Sequence, residues 1–290
     1  MSTLKVRMPD DWHCHLREGE LLQLAALDQA RQFARSIVMP NLATPVTTMD
    51  QAAAYHRDIL SVLPENVSFT PLMTLYLHPG LAVDELVKAK QSGLVFAVKF
   101  YPKGATTLSE AGVVSWKDVI PQLQAMQELG IILCIHGEVV DHDVDIFARE
   151  TQFLQRELTP ILQKFPNLKV VLEHISTAAA VDFVQQAGDQ LAATITPHHL
   201  LLNRNDLLAG GIRPHNYCLP IVKQREDQLA LIAAATSGAP CFFLGTDSAP
   251  HSQAAKQSAC GCAGIYSACA AMEYYAEVFD EYSALDKLEN

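Results

Sequence analysis

The chain has 290 residues, of which 49% are hydrophobic and 18% are charged, and this composition excludes a largely disordered protein. Its formal net charge of −11 at pH 7 would repel phosphate groups, so we expect no general binding to nucleic acid. No apolar run approaches the roughly 18 residues that a membrane-spanning helix needs, so we expect no membrane association either.

Short apolar runs alternate with helical segments along the chain. In chain order, the runs with strand character cover residues 5–8 (followed by 12–15), 36–39, 68–75, 94–100, 131–135, 168–172, 191–195 and 241–244. Most of these runs are continuously hydrophobic, which is typical of parallel strands buried on both faces. Helical spacing predicts helices over residues 20–33, 50–63, 81–91, 115–129, 143–165, 178–187, 224–235 and 268–282.

Eight strands that alternate with helices predict an α/β protein, with either a closed barrel or an open doubly wound sheet. The count of eight and the absence of a glycine-rich nucleotide-binding motif favour a (β/α)8 (TIM) barrel. No internal repeat, low-complexity tract or charge block marks a linker. We therefore predict that residues 1–290 form a single barrel domain.

Reactive side chains follow the predicted strands at their carboxyl ends, which is the rim that carries the active site in such barrels. The first run ends in His13-Cys14-His15, and residues two apart on a strand point to the same face. The other reactive residues end the fourth, fifth, sixth and eighth runs: Lys99, His136, His174 and Asp247. Each alone has an ordinary structural alternative, such as a hydrogen-bonded histidine or a turn aspartate. Together the six residues predict a metal centre with its donors at one opening.

The motifs around these positions resemble a known family. The chain is similar to the amidohydrolase superfamily of metal-dependent barrels and, within it, to the stand-alone dihydroorotases of bacteria and fungi, over nearly its whole length. The resemblance is carried by the following segments: His13-Cys14-His15 with Arg17, Met39-Pro40-Asn41, Lys99-Phe100-Tyr101-Pro102, His136-Gly137-Glu138, Glu173-His174-Ile175, Cys218-Leu219-Pro220, Gly245-Thr246-Asp247-Ser248-Ala249-Pro250-His251 and Cys260-Gly261-Cys262-Ala263-Gly264.

This resemblance implies two zinc ions per subunit, bridged by a hydroxide and by Lys99 carboxylated on its amine (N6-carboxylysine). Carboxylation would turn a cation that repels Zn²⁺ into an anion that can span two metals. Two metals about 3.5–4 Å apart lower the pKa of a shared hydroxide towards neutrality. Lys99 would be shared, and the remaining implied ligands divide between the metals: His13, His15 and Asp247 on one zinc, His136 and His174 on the other.

The implied activity is that of a hydrolase acting on a cyclic amide. It is the reversible, zinc-dependent cyclisation of N-carbamoyl-L-aspartate to L-dihydroorotate in de novo pyrimidine (UMP) biosynthesis. In the hydrolytic direction, the bridging hydroxide would attack the ring carbonyl. Asp247 would be the general acid and base that takes the hydroxide proton and delivers it to the leaving ring nitrogen.

An acidic protein must provide a positive pocket for the carboxylate of this substrate that does not react. The resemblance assigns that task to Arg17, Asn41 and His251. A planar guanidinium suits it, because its geometry matches a carboxylate in two hydrogen bonds. The alternative for Arg17 is a salt bridge on the rim of the barrel.

Two further sets of substrate contacts are implied. Leu219 and Ala263 would offer backbone groups to the pyrimidine ring. The loop of residues 101–112 contains small residues and the hydroxyls of Thr106 and Thr107, which suit a lid that closes over substrate. The alternative for this loop is a mobile surface segment.

Three expectations concern the whole chain. Family members continue for several dozen residues beyond the position of Asn290, the last residue of this sequence. We therefore expect the C-terminal end to be shortened, either as part of a longer chain or as a naturally short version. The resemblance implies a homodimer. Seven cysteines without a regular framework, and N-terminal residues unlike a signal peptide, predict reduced thiols in the cytoplasm.

Two other functions stay open at this point. A neighbouring cyclic-amide hydrolase, of the hydantoinase, dihydropyrimidinase or allantoinase type, would have the same metal centre. Because its substrate lacks the carboxylate, it would not need Arg17 or Asn41. A metal-free barrel retained as a binding or scaffolding protein is disfavoured, because all six ligand positions are filled.

Overall fold

Eight parallel strands form the centre of the protein. The structure is a computed structural model that describes residues 4–289, and its strands follow one another around the sheet in chain order. Every neighbouring pair is parallel. The strands are β1 Asp10–Cys14, β2 Arg35–Val38, β3 Thr70–Tyr76, β4 Val95–Phe100, β5 Ile132–His136, β6 Val170–Glu173, β7 Leu191–Ile195 and β8 Phe242–Leu244.

Strand β1 also lies beside the segment that follows β8, and this contact nearly closes the sheet. Ser248 forms a parallel bridge with Cys14, and its carbonyl accepts a hydrogen bond of 3.0 Å from His15 N. Asp247 N donates to His13 O at 2.8 Å. The prediction of a (β/α)8 barrel is therefore confirmed, and its closing seam runs directly beside two of the predicted site residues.

Helices connect the strands and cover the outside of the sheet. Thr48 and Gln51 form a capping box at the start of the second helix, and Gly93 and Gly130 end two others in the left-handed conformation. Among residues 4–289, no helix has the length and apolar character needed to cross a bilayer. The helices are Glu20–Gln32, Met49–Ser61, Val83–Ser92, Ile120–Leu129, Arg149–Phe153, Thr159–Lys164, Ala178–Gln186, Pro197–Leu201, Arg204–Leu208, Arg225–Ala235, Gln253–Lys256 and Ala271–Glu281.

The hydrophobic core lies between the strands and these helices, and alternation along β4 shows how it orients the site. Val98 and Phe100 belong to the buried apolar core, and the Phe100 ring stacks on Trp116 with centroids 4.0 Å apart. Lys99 lies between them in sequence and is fully buried, so its side chain points to the opposite face of the sheet. Burying a large apolar side chain contributes about 1.5–3 kcal/mol, so the core anchors Lys99 inside the barrel.

The first strand lies later in the chain than we predicted. Residues 5–8 have no regular structure, and β1 begins at Asp10. The polar start of this strand is buried by the closing seam, because Asp11 accepts hydrogen bonds from His13 N at 3.1 Å and Thr246 N at 2.8 Å. Burial raises the pKa of Asp11 to about 6, which the hydrogen bonds from Thr246 partly oppose. Hydrophobicity alone therefore placed this strand too early, because part of the hydrogen bonding that stabilises its buried Asp11 comes from Thr246 across the closing seam.

Candidate metal and substrate site

One narrow cavity opens at the carboxyl ends of the strands. It brings together eleven of the thirteen predicted site residues, and the other two, Lys99 and His251, adjoin it as described below. The roles of these residues are not tested by their position and stay predictions. The lining residues are His13, His15, Arg17, Asn41, Tyr101, Thr106, Thr107, His136, His174, Leu219, Asp247, Ala249, Ala263 and Gly264.

The closest group of candidate metal donors is formed by His13, His15 and Asp247. All three residues are buried, and one donor atom from each lies within 4.8 Å of the others. His15 Nε2 is 3.0 Å and His13 Nε2 is 3.3 Å from the same Asp247 oxygen. Burial alone would raise the pKa of Asp247, but the charge and hydrogen bond of His13 and the hydrogen bond of His15 bring it well below its usual value. The carboxylate is thus ionised and aimed at the same point as the two imidazoles.

The other two predicted histidine ligands continue this group across the barrel. The ring centroids are 5.3 Å apart for His13 and His15, 5.0 Å for His13 and His174, and 4.9 Å for His174 and His136. Burial lowers the pKa of His174 well below its usual value and that of His15 to about 3. A neutral imidazole keeps a lone pair for a cation, and His174 Nδ1 is buried without a hydrogen-bond partner.

Lys99 is buried next to these histidines. Its side chain is fully buried, and its Nζ has no hydrogen-bond partner among the described residues. The centroid of the Tyr101 ring is 5.1 Å from Nζ. Burial lowers the pKa of Lys99, against the opposing charges of Glu173, Cys134 and Asp247. An unpartnered buried amine is costly, so it marks a position where the protein makes an interaction with something further.

Arg17 faces the cavity without an acidic partner. Its Nη2 lies 3.3 Å from His251 Nε2, its Nε donates to Pro250 O at 3.4 Å, and its Nη1 is buried with no partner. Within residues 4–289 it forms no salt bridge, so the alternative of a rim ion pair is wrong. Burial and the neighbouring Arg17 lower the pKa of His251 to about 4. The guanidinium is therefore free to bind an anion.

The loop after β4 contacts both sides of the cavity mouth. Asn41 Nδ2 donates to Thr107 O at 3.1 Å, and Thr107 Oγ1 donates to Ala263 O at 3.3 Å. Thr106 N donates to Ser109 Oγ at 2.9 Å, which fixes the turn of the loop. The loop thus lies over the site with both predicted threonines in its lining.

The comparisons with known proteins agree with this geometry. The model of the "Amidohydrolase family" matches residues 11–288. The chain belongs to the amidohydrolase family. It is 58% identical to the dihydroorotase of Coxiella burnetii over 289 residues, which is 100% of this chain and 83% of that protein.

Solved structures show the same relationship within this amidohydrolase fold. The dihydroorotase of Saccharomyces cerevisiae, solved in complex with 5-fluoroorotic acid, superimposes with a TM-score of 0.90 at 37% identity, covering 97% of this chain and 80% of that one. The L-hydantoinase of Arthrobacter aurescens has a TM-score of 0.78 at 16% identity, covering 97% of this chain and 68% of that one. The latter likeness shows the fold alone.

The residues of this amidohydrolase fit a divalent metal centre. Four imidazoles and a carboxylate are donors that borderline divalent cations such as zinc prefer. The orphaned amine of Lys99 fits as well, because a buried amine with a lowered pKa has the neutral form that reacts with CO₂. Carboxylation would give this orphaned group a charge opposite to that of a metal.

Two buried glutamates orient the candidate ligands, and our reading of the sequence assigned them no role. Glu173 Oε2 is 2.8 Å from His13 Nδ1 and accepts from Thr194 Oγ1 at 2.6 Å. Glu138 Oε2 is 2.8 Å from His136 Nε2. Each carboxylate occupies one ring nitrogen and leaves the other for a metal, which is the usual outer support of metal-binding histidines. In the sequence, only one feature pointed to these two glutamates: each lies within two residues of a predicted histidine ligand.

Glu138→Gln is expected to weaken metal binding about 10- to 100-fold, because the neutral amide holds the His136 ring in its orientation less firmly than the carboxylate does. Competition with a coloured chelator measures this affinity directly. Glu150→Gln is the matched control, since Glu150 is equally buried but accepts hydrogen bonds from Ser176 and Thr177. Equal metal affinity in both variants would contradict the assignment.

Backbone strain is concentrated around the cavity. Of six non-glycine residues with positive φ among residues 4–289, five line or adjoin it: Arg17 (62°), Leu108 (56°), His174 (43°), Asp247 (45°) and Cys262 (27°). Such conformations cost on the order of 1–3 kcal/mol each and persist only where surrounding contacts hold them. The fold therefore stabilises this arrangement of side chains at a local cost.

A second group of buried donors lies near the site but does not line it. His198, His199 and Cys218 have donor atoms within 4.8 Å of one another. His199 already contacts Thr196 Oγ1 at 2.8 Å and Pro220 O at 2.9 Å through its two ring nitrogens. Its imidazole is therefore a structural hydrogen-bonding group.

Proposed function

We propose that this amidohydrolase is a dihydroorotase, which catalyses the reversible cyclisation of N-carbamoyl-L-aspartate to L-dihydroorotate. The observation that carries the proposal is that one cavity holds both the candidate metal donors and the buried Arg17, which lacks an acidic partner. The 58% identity to a dihydroorotase over the whole chain supports it. A small molecule with both a cyclic amide and a carboxylate matches the two halves of this cavity.

The proposed cofactor is a pair of zinc ions bridged by carboxylated Lys99. His13, His15 and Asp247 would hold one ion, and His136 and His174 the other, which agrees with the two ends of the histidine row. When bound, such metals supply a hydroxide near neutral pH and polarise a carbonyl group.

The residues of the chain itself would bind, cover and protonate the substrate. Arg17 would bind the unreactive carboxylate through its free Nη1, and Asn41 and His251 would complete that pocket. The loop with Thr107 would exclude water from the closed site. Asp247, ionised beside the histidines, would accept a proton and deliver it to the ring nitrogen that leaves.

The remaining proposals concern the molecule as a whole. We propose that it is a single-domain cytoplasmic enzyme of de novo pyrimidine synthesis and that it forms a homodimer. All seven cysteine thiols are unpaired in the structure, which supports a reducing compartment. The molar mass in solution, measured by light scattering, tests the dimer.

Turnover of a substrate series tests the proposed function. Dihydroorotate carries the carboxylate, whereas dihydrouracil and hydantoin present a cyclic amide without it. We expect kcat/KM for dihydroorotate to exceed the other two by about a hundredfold or more, because a buried guanidinium left unpaired is costly. Preference for hydantoin or dihydrouracil would favour the alternative cyclic-amide hydrolase.

Arg17→Met is expected to lower kcat/KM for dihydroorotate by roughly a hundredfold, since charged hydrogen bonds to the carboxylate are lost. The bound metal should be unchanged, because Arg17 is not one of the proposed ligands. Arg35→Met is the control, because Arg35 pairs with Asp10 at the start of β1. Unchanged dihydroorotate turnover in Arg17→Met would defeat the assignment of this pocket.

A further inference from the structure

Lys256 lies outside the cavity, at the end of the short helix Gln253–Lys256. Although this helix begins on the surface, Lys256 is only 4% exposed. Its Nζ donates hydrogen bonds to the carbonyls of Tyr217, Cys262 and Gly264, each at 2.8 Å. An ammonium has three N–H donors, so its hydrogen-bonding capacity is fully used by backbone.

These three carbonyls belong to the two segments that carry the proposed backbone contacts to substrate. Tyr217 precedes Leu219 by two residues, and Cys262 and Gly264 flank Ala263. Both Leu219 and Ala263 line the cavity. A hydrogen bond of 3.0 Å from Gly264 N to Tyr217 O also joins the segments, at the same carbonyl that Lys256 binds.

The segment of residues 261–264 needs such an anchor, because its backbone is irregular. The φ angles of Gly261, Cys262 and Gly264 are 75°, 27° and 139°. A Cβ added at Gly264 would lie 2.9 Å from both Ala249 Cβ and His251 Nε2, so this backbone passes unusually close to its neighbours. Without ladder or helix hydrogen bonds, external donors must hold the chain in this conformation.

The central carbonyl of this segment points to a different set of partners. Ala263 O accepts hydrogen bonds from His251 Nε2 at 3.0 Å and Thr107 Oγ1 at 3.3 Å. The carbonyls on either side of it are held by Lys256 instead. The ammonium therefore fixes which peptide group of the segment is presented to the cavity.

We propose that Lys256 is a positioning residue for substrate binding. Its ammonium holds the two segments so that the backbone groups of Leu219 and Ala263 face the cavity before substrate arrives. Such preorganisation strengthens binding because less of the chain has to be ordered when the complex forms. The inference rests on the proposed function, since the pyrimidine ring is what these backbone groups would bind.

The test compares two buried lysines of equal exposure. Lys256→Met should raise KM for dihydroorotate by about tenfold or more, with kcat within about threefold of wild type and the bound zinc unchanged. Calorimetry with 5-fluoroorotic acid should show weaker binding by a similar factor. Lys223→Met is the matched control, because Lys223 is also 4% exposed but donates to a single carbonyl, that of Ile221 at 2.8 Å. It should lower the melting temperature without changing KM.

A structural readout accompanies the kinetics and needs neither metal nor substrate. Hydrogen exchange at the Gly264 amide, which donates to Tyr217 O, should be faster in Lys256→Met than in Lys223→Met. Lys256→Arg serves as a second variant if Lys256→Met does not fold. A guanidinium cannot direct three donors from one nitrogen, so its KM should lie between those of wild type and Lys256→Met.

Several outcomes would overturn the proposal. The proposal fails if folded Lys256→Met or Lys256→Arg has the KM of the wild type. It also fails if Lys223→Met raises KM as much as Lys256→Met does, or if Lys256→Met lowers only kcat. Wild-type turnover of dihydroorotate is measured first. Its absence would remove the proposed function and this inference together, whereas normal wild-type turnover with unaltered variants would count against Lys256 alone.

Discussion

Lys99→Ala is expected to lose bound metal and activity together. Lys99 Nζ is fully buried beside the candidate histidines and has no hydrogen-bond partner among the described residues. The alanine variant cannot supply a bridging carbamate, so we expect turnover of dihydroorotate to fall by roughly three orders of magnitude or more. Zinc content by plasma mass spectrometry and turnover should be measured on the same sample.

Chemical rescue shows whether Lys99→Ala loses activity because a metal ligand is missing or because the fold is damaged. Acetate or propionate can enter the space left by the truncated side chain and provide a carboxylate there, so part of the activity should return with added acid. Lys223→Met, which removes another buried lysine, should neither lose zinc nor respond to the acids. Full activity of Lys99→Ala in the absence of any acid would refute the carbamate.

Replacing Lys99 is expected to stabilise the metal-free protein, although it removes metal binding and activity. In metal-free protein, Lys99→Met replaces an unpartnered buried amine with an apolar side chain of similar length. We expect the free energy of unfolding of the metal-free form to rise by about 1–3 kcal/mol, because a polar group no longer lacks a partner. Urea unfolding in the presence of a chelator measures this change. A decrease would mean that the amine has a structural partner.

Asp247→Asn has the second largest expected effect. The asparagine keeps the shape of the side chain but can neither accept and return a proton nor carry the charge that faces His13 and His15. Removing a general acid and base typically costs about 10²- to 10⁴-fold in rate, so we expect kcat to fall by about a thousandfold. Turnover should be measured at saturating zinc, which separates proton transfer from weakened metal binding.

Asp182→Asn is a suitable control, because Asp182 is an exposed carboxylate on the helix Ala178–Gln186. It should leave kcat, KM and zinc content unchanged. If zinc restored full activity to Asp247→Asn, this residue would be a ligand but not the proton carrier. The acid and base would then have to be sought among the other groups that line the cavity.

Much of the site could be predicted from the sequence, because apolar strand runs and the reactive residues at their ends are features of neighbouring residues in the chain. A continuous apolar run such as residues 94–100 predicts a buried parallel strand, and the barrel brings the carboxyl ends of all such strands to one rim. Alternation of strand side chains predicted that His13 and His15 share a face, and their ring centroids lie 5.3 Å apart in the structure. Lys99 and His136 were placed by the same reasoning.

Other features depend on contacts between distant segments, and no local pattern carries them. Strand β1 was placed too early because the polar Asp11 is satisfied by Thr246, more than two hundred residues away. Glu173 lies next to His174 in sequence, yet its carboxylate contacts His13 on another strand. Lys256 lies in a polar stretch of sequence and resembles a surface lysine, although three carbonyls from two other segments surround its ammonium.

The sequence by itself determined the kind of barrel, the rim at which chemistry is expected and the residue types at that rim. It could do so because hydrophobic periodicity and the ends of strands depend on residues that are close together in the chain. The tertiary structure alone decided which ring nitrogens of His13 and His136 are held by glutamates. It also decided that the Lys99 amine and Arg17 Nη1 lack partners, and how Lys256 holds the backbone around the cavity. Those features arise from hydrogen bonds and burial between residues far apart in the chain, which exist only once the barrel has closed.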